Sequence, residues 1–119
     1  MKVLVDTSSW RKHLRAVDER LVDLLRERRV VVHEMVVHEL VLGGVSAGVR
    51  RSLLALPHLP TARGDEILMC IDGYRLAQTG IGAVDTHLFH AALRASAALY
   101  TADSALAGAF GTYQPKEWR

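Results

Sequence analysis

Three short apolar segments, separated by longer helical ones, constrain the fold of this chain more than any other feature. They are predicted β-strands at residues 2–5, 30–33 and 99–101, without the polar alternation of a half-exposed strand. A strand that is apolar on both faces must be covered on both, which is typical of a parallel sheet between two layers of helices. The sequence therefore predicts an α/β fold, a three-layer α/β/α sandwich with a central parallel β-sheet.

Helical periodicity and capping residues predict the segments between the strands. Thr7, Ser8 and Ser9 offer capping hydroxyls to a short first helix that carries Trp10, and Asp18 is the expected N-cap of the second helix. Further helices are expected at residues 35–42, 49–56, 64–79, 84–97 and 104–110, with short strands at 59–62 and 112–114. A chain of 119 residues has material for one core, so a single domain over residues 1–119 is expected.

Composition gives limited information about where the protein acts and what it binds. The longest apolar runs fall well short of the ~20 residues that span a bilayer, and no signal-peptide pattern precedes the first strand. We therefore expect a cytoplasmic protein with no membrane partner. The single cysteine, Cys70, excludes an internal disulfide and a cysteine-based zinc site, and is expected to be a small buried helix residue. A formal net charge of +2 favours polyanionic partners only weakly.

Four carboxylates stand where a charge is costly. Asp6 ends the first predicted strand and Asp103 follows the third, and ligands bind at the carboxyl ends of parallel strands. Glu39 and Asp85 lie on apolar faces of predicted helices, where an unpaired charge costs several kcal/mol. One shared hard cation would neutralise all four. Oxygen ligands without cysteine or a matched histidine pair favour Mg²⁺, or Mn²⁺, over zinc.

Other roles are open to these carboxylates. An aspartate that precedes a helix, as Asp6 and Asp103 do, is commonly its N-cap, and Asp85 could complement a helix dipole. Glu39 has no basic residue one turn away along its helix. Four carboxylates exceed what one octahedral Mg²⁺ usually takes from a protein. The set suits either two ions or one ion with a carboxylate kept as general base.

The order of these residues along the chain resembles the successive acidic motifs of PIN domains. The matching segments are Asp6-Thr7-Ser8-Ser9-Trp10, Glu39-Leu40 with Gly43, Gly82-Ala83-Val84-Asp85 followed by Phe89-His90-Ala91-Ala92, and Thr101-Ala102-Asp103. Their order and the chain length are similar to those of the VapC toxins of bacterial VapBC toxin–antitoxin pairs. Many members carry another acidic residue after the fourth, where this chain has Ser104-Ala105-Leu106. That departure bears on a second metal ion more than on activity.

The resemblance implies a metal-dependent endoribonuclease that cleaves single-stranded RNA and leaves 5′-phosphate and 3′-hydroxyl ends. It also implies a homodimer, with an interface available on the apolar helices at residues 36–56, and inhibition by a small cognate VapB antitoxin. The catalytic and metal-binding residues would be Asp6, Glu39, Asp85 and Asp103. The hydroxyls expected to orient these carboxylates belong to Thr7, Ser8 and Thr101. Local helix capping is the alternative role for these hydroxyls, more so for Ser8 than for Thr101.

Two further functions remain compatible with the sequence: a catalytically inactive PIN-like module that binds RNA or protein, and a housekeeping RNA-processing nuclease of the same fold. Retention of all four carboxylates disfavours the inactive module, because like charges destabilise a pocket that no cation fills.

His33 and His38 lack the spacing of a zinc-protease pair. Arg11, Lys12 and Arg15, on the helix that leaves Asp6, are either phosphate contacts or an ordinary solvated helix face.

Overall fold

A parallel three-stranded sheet lies among helices in the computed structural model, which describes residues 1–118. Arg119, the last residue of the predicted domain, lies outside the described residues. The strands are β1 (Val3–Val5), β2 (Val30–Val31) and β3 (Ala98–Tyr100). The helices are α1 (Thr7–Arg15), α2 (Glu19–Arg26), α3 (Glu34–Leu42), α4 (Ala47–Ala55), α5 (Gly64–Gly73), α6 (Ala83–Ala95) and α7 (Ser104–Phe110). The predicted α/β/α sandwich with a parallel sheet is confirmed.

Strand β1 is the centre of the sheet, in the order β2-β1-β3. It pairs in parallel with β2 from Val3 opposite Val30, and with β3 from Val3 opposite Ala98. All three β1 side chains are fully buried, as a strand covered on both faces requires. Because β1 and β3 run in the same direction, the segments that follow them emerge side by side at one edge of the sheet.

One continuous apolar core packs the helices onto the sheet. Aromatic side chains fix α6 against α7, with the rings of Phe89 and Phe110 edge to face and their centroids 5.2 Å apart. Cys70 is buried in α5 as a free thiol, as expected from the sequence. Within residues 1–118, no helix has the length and apolar character needed to cross a lipid bilayer.

The helix predicted at residues 64–79 is wrong in its second half. Helix α5 ends at Gly73, and Arg75 adopts a left-handed backbone with φ of 55°. That conformation cannot continue a right-handed helix, so the chain turns and forms only a short 3₁₀ turn at Leu76–Gln78. The physical reason is tertiary, because Leu76 packs into the core after the turn.

The short strands predicted at residues 59–62 and 112–114 are also wrong. The first is reduced to a single bridge between Val32 and His58, in which Val32 donates to the Pro57 carbonyl and accepts from the Leu59 amide, each at 2.9 Å. The second region is a 3₁₀ turn at Gly111–Tyr113. These segments still complete the sheet edges, one through backbone beside Val32 and the other through a side chain.

That side chain is Gln114, which pairs with strand β3 as a neighbouring strand would. Its Oε1 accepts from the Leu99 amide at 3.0 Å and its Nε2 donates to the Leu99 carbonyl at 2.7 Å. An edge strand otherwise leaves such backbone groups without a protein partner. The amide therefore satisfies both outward-facing groups of Leu99.

Replacing Gln114 should destabilise the fold. Gln114→Ala removes two hydrogen bonds to half-buried backbone groups, so we expect a loss of roughly 1–3 kcal/mol in the free energy of unfolding, measured by urea denaturation. Gln78→Ala is the matched control, because Gln78 is an exposed glutamine in the 3₁₀ turn at Leu76–Gln78. Equal midpoints for the two variants would contradict the role assigned to Gln114.

Candidate metal centre

Asp6 is the most enclosed of the four predicted site carboxylates, with 2% of its surface exposed. It follows β1 and is the N-cap of α1, where its Oδ1 accepts from the Ser9 amide at 2.9 Å. The prediction that hydroxyls cap this helix is therefore wrong, because Thr7, Ser8 and Ser9 lie inside its first turn. The capping role considered for Asp6 is realised, and it fixes the carboxylate at the carboxyl end of the central strand.

Two hydroxyls also hold the Asp6 carboxylate. The Ser8 hydroxyl lies 2.8 Å and 2.9 Å from its two oxygens, and the Thr101 hydroxyl donates to Oδ2. Ser8 Oγ in turn accepts from the Ala102 amide at 3.1 Å. Asp6 is thus tied to the segment that follows β3, and its own amide donates to the carbonyl of Tyr100, the last residue of β3.

Glu39 lies half-buried on α3, and the Thr7 hydroxyl donates to its Oε1 at 2.5 Å. This contact joins the first turn of α1 to the third helix, and it brings a carboxylate distant in sequence to the edge where Asp6 lies. All three hydroxyls predicted to orient site carboxylates, those of Thr7, Ser8 and Thr101, contact one of them.

Asp103 is exposed and is the N-cap of α7. Its Oδ1 accepts from the Leu106 amide at 3.0 Å, and its own amide donates to Thr101 Oγ1 at 2.9 Å. The capping alternative is realised here as well. One oxygen serves the helix, and Thr101 links Asp103 to Asp6.

Asp85 lies half-buried in the first turn of α6, and no hydrogen-bond donor within residues 1–118 contacts its carboxylate. The pKa of Asp85 is raised to about 6, first by burial and then by the nearby charges of Asp103, Asp6 and Glu39, in that order. The fold therefore brings the other three acidic side chains close enough to Asp85 to disfavour its ionised form. This repulsion is the electrostatic signature of the site.

No basic side chain offsets that repulsion in the described part of the chain. The ion pairs there join Arg29 to Glu27 and Arg63 to Asp65 and Glu66, all away from the site. The site offers only negatively charged carboxylate oxygens, and those of Asp85 accept no hydrogen bond within the described residues. Such a set fits a hard divalent cation. Across residues 1–118, however, no three His, Cys, Asp or Glu side chains already stand in a metal-binding arrangement. The chemistry fits the ion, while these side-chain conformations do not present a ready coordination shell.

Sequence reasoning missed two contacts at this site. The Ser9 amide and the Ala102 amide both support the Asp6 network, the first directly and the second through Ser8. A helix start after Asp6 would have indicated the first, because an N-cap carboxylate accepts from the amide three residues on. No sequence signal indicates the second, since it joins segments more than 90 positions apart.

His33, which the sequence analysis considered as a zinc ligand, caps a helix. His33 ends the segment after β2 and caps α3, where its Nδ1 accepts from the Met35 amide at 3.1 Å. Burial lowers the pKa of His33, and the neighbouring His87, whose ring centroid is 6.0 Å away, lowers it further. A neutral imidazole whose Nδ1 is occupied by a helix cap agrees with the sequence-based rejection of a zinc-protease pair.

The chain is similar to known proteins in sequence and in fold. No protein-family model matches the chain. Ribonuclease VapC32 from two strains of Mycobacterium tuberculosis is 43% identical over 110 residues, which cover 90% of this chain and 89% of the relative. The crystal structure of PAE2754 from Pyrobaculum aerophilum shares the fold with a TM-score of 0.59 at 15% identity, over 92% of this chain and 84% of that one. By its identity to VapC32 over nearly its whole length, the chain belongs to the VapC family of ribonucleases.

Proposed function

We propose that this VapC ribonuclease cleaves single-stranded RNA internally, as the toxin of a toxin–antitoxin pair, with Mg²⁺ or Mn²⁺ at Asp6, Glu39, Asp85 and Asp103. Family membership supports an RNA substrate, the toxin role and a VapB antitoxin as partner. The observation that carries the metal dependence is the half-buried Asp85 carboxylate, which has three carboxylate neighbours and no donor in the described residues. A divalent cation is the ligand that would stabilise such a group of carboxylates.

Each residue has a distinct task in this proposal. Asp6 is held rigid by its cap and two hydroxyls, so it offers a fixed oxygen to the ion. Thr7 orients the Glu39 carboxylate in the same way. Asp85 and the exposed Asp103 have more freedom, and we infer that their side chains rotate toward the ion or bind it through water. A bound Mg²⁺ or Mn²⁺ would neutralise the scissile phosphate and activate the attacking water.

One of the two alternative functions loses support from the site, and an experiment separates the other. An inactive PIN-like module would have no use for an unneutralised Asp85, whose ionised form the surroundings penalise. A housekeeping RNA-processing nuclease would use the same centre, so growth arrest on expression separates it from a toxin.

We also propose that residues 1–119 act as one domain in the cytoplasm, which agrees with the free thiol of Cys70.

We infer that the protein is a homodimer formed through α3 and α4. These helices border a cleft of about 630 Å³ whose apolar lining includes Leu42, 87% exposed, and Leu54, 54% exposed. Large aliphatic side chains with that exposure, next to a cleft, are typical of a surface that another subunit covers. A second copy of the chain fits an isologous arrangement, in which the same face serves both partners.

Asp85→Asn should abolish cleavage while the protein remains folded. We expect a loss of roughly 100-fold or more in the rate of cleavage of single-stranded RNA with Mg²⁺ or Mn²⁺, because a ligand and a charge are removed together. End mapping of the products and growth arrest on expression are the two readouts. Asp72→Asn, at an exposed position of α5, is the matched control. Full activity of Asp85→Asn would refute the metal role.

The metal-free protein should show a stability that depends on Asp85 and on pH. The pKa of this acid is raised from 3.8 to about 6. The stability that its protonated form contributes is therefore fully present below pH 3.8 and is lost as the pH rises through 6, where ionised Asp85 destabilises the fold. Asp85→Asn should therefore raise the melting temperature in EDTA at pH 7.5 by about 4 °C, for roughly 1 kcal/mol after solvent screening. The gain should vanish near pH 3.8, and added Mg²⁺ should stabilise only the wild type. A wild type as stable as the variant at pH 7.5 would contradict this electrostatic account.

The dimer is tested at Leu42. Leu42→Glu places a charge in the proposed interface, so sedimentation equilibrium should show a shift from dimer to monomer by at least 10-fold in the dissociation constant. Val17→Glu is the control, because Val17 is 65% exposed on the connection between α1 and α2. A wild type that sediments as a monomer, or a Leu42→Glu variant that remains dimeric, would count against this interface.

A further inference from the structure

Helices α1 and α3 pack side by side next to the metal centre, and their contacts repeat one turn apart. In the first turn, Thr7 of α1 donates to Glu39 of α3. Four residues further along each helix, Arg11 lies against Gly43: a Cβ built on Gly43 would be 3.9 Å from Nη2 of Arg11. One helical turn rises about 5.4 Å. Arg11 therefore follows Thr7 by about one turn along the line where the helices meet, as Gly43 follows Glu39.

This line opens into a cleft of about 280 Å³ between the two helices. Its walls include Arg11, Leu14 and Arg15 from α1, Leu40 from α3, and Gly43 and Gly44, which follow α3. Two adjacent glycines leave one wall without side chains, so backbone and guanidinium groups are both accessible to a ligand. The cleft has two cationic groups on one side and an apolar floor.

The two arginines are uncommitted within the described residues. Neither Arg11 nor Arg15 forms an ion pair there, and both side chains are exposed. Lys12, between them in sequence, lies on a different face of α1 and borders a separate cleft with Ala16, Val17 and Asp18, which Arg15 also adjoins. The structure thus distinguishes residues that the sequence could only group together.

We propose that Arg11, supported by Arg15, binds the backbone phosphate of a nucleotide adjacent to the scissile bond, with that nucleotide lying in the cleft against Gly43 and Gly44. The proposal rests on the RNA-cleaving function proposed above. A strand with its scissile phosphate at the carboxylates would bring a neighbouring phosphate about one helical turn away, where the Arg11 fork can bind it through two N–H groups. This contact offsets the repulsion between RNA and the acidic centre.

The experiment compares Arg11→Ala with Lys12→Ala on a short single-stranded RNA with a mapped cleavage site. Arg11→Ala should lower kcat/KM by about 10- to 100-fold, the loss expected for a charged hydrogen-bonding pair. It should also reduce the slope of log kcat/KM against log salt by about 0.7, the value for one phosphate contact on a single strand. Arg11→Lys should recover part of the rate, and Lys12→Ala should match the wild type.

A second arm identifies the phosphate itself. Neutral methylphosphonate is placed at each phosphate that flanks the scissile one, in turn. At one position the substitution should slow the wild type about as much as Arg11→Ala does, and it should have no further effect on Arg11→Ala. Equal losses in both proteins at every position, or equal rates for Arg11→Ala and Lys12→Ala, would overturn the subsite. If the wild type cleaves no RNA with either metal, the proposed function fails instead, so the two failures are distinguishable.

Discussion

Mutual repulsion among carboxylates at one edge of a parallel sheet is the interaction on which the functional part of this structure depends. Parallel pairing of β1 with β3 brings Asp6 and the segment of Thr101 together, and the packing of α1 against α3 adds Glu39. The remaining carboxylate, Asp85, has no hydrogen-bond donor among the described residues, and burial followed by the charges of the other three raises its pKa. Like charge concentrated in this way is costly unless a cation compensates it, which is the physical basis of the metal dependence proposed for this ribonuclease.

The sequence was sufficient for the parts of the fold that apolar periodicity determines. Strand β1 and helix α7 lie where the apolar residues placed them, and Asp18 caps α2 as expected. The errors arise where tertiary contacts override local preference. Arg75 turns the chain into a left-handed conformation that no local rule requires, and the apolar segment at residues 59–62 contributes its backbone at one bridge only. Such outcomes depend on what the rest of the molecule offers as a partner.

At the site, the residue types were predictable but their double duty was not. Asp6 and Asp103 are N-caps and also lie near Asp85 in the acidic centre, so capping does not exclude the metal-binding role that the sequence set against it. This is possible because a carboxylate has two oxygens with several lone pairs, and an amide occupies only one of them. The pairing of Thr7 with Glu39, and of Arg11 with Gly43, follows from how two distant helices pack, which no spacing within either helix encodes.

The way the sheet ends has a consequence for how other proteins recognise this one. Leu99 on β3 is already matched by the Gln114 amide, and Val32 beyond β2 is matched by the backbone of Pro57 and Leu59. An incoming peptide that tried to extend the sheet would have to displace contacts of the same kind, with little net gain in hydrogen bonding. Strand addition is thereby disfavoured at both margins. An inhibitor of this enzyme would therefore bind side chains on the helical layers. Its affinity would come from shape complementarity and apolar burial. The sequences of such inhibitors are then free to diverge, because no strand pairing fixes their backbone.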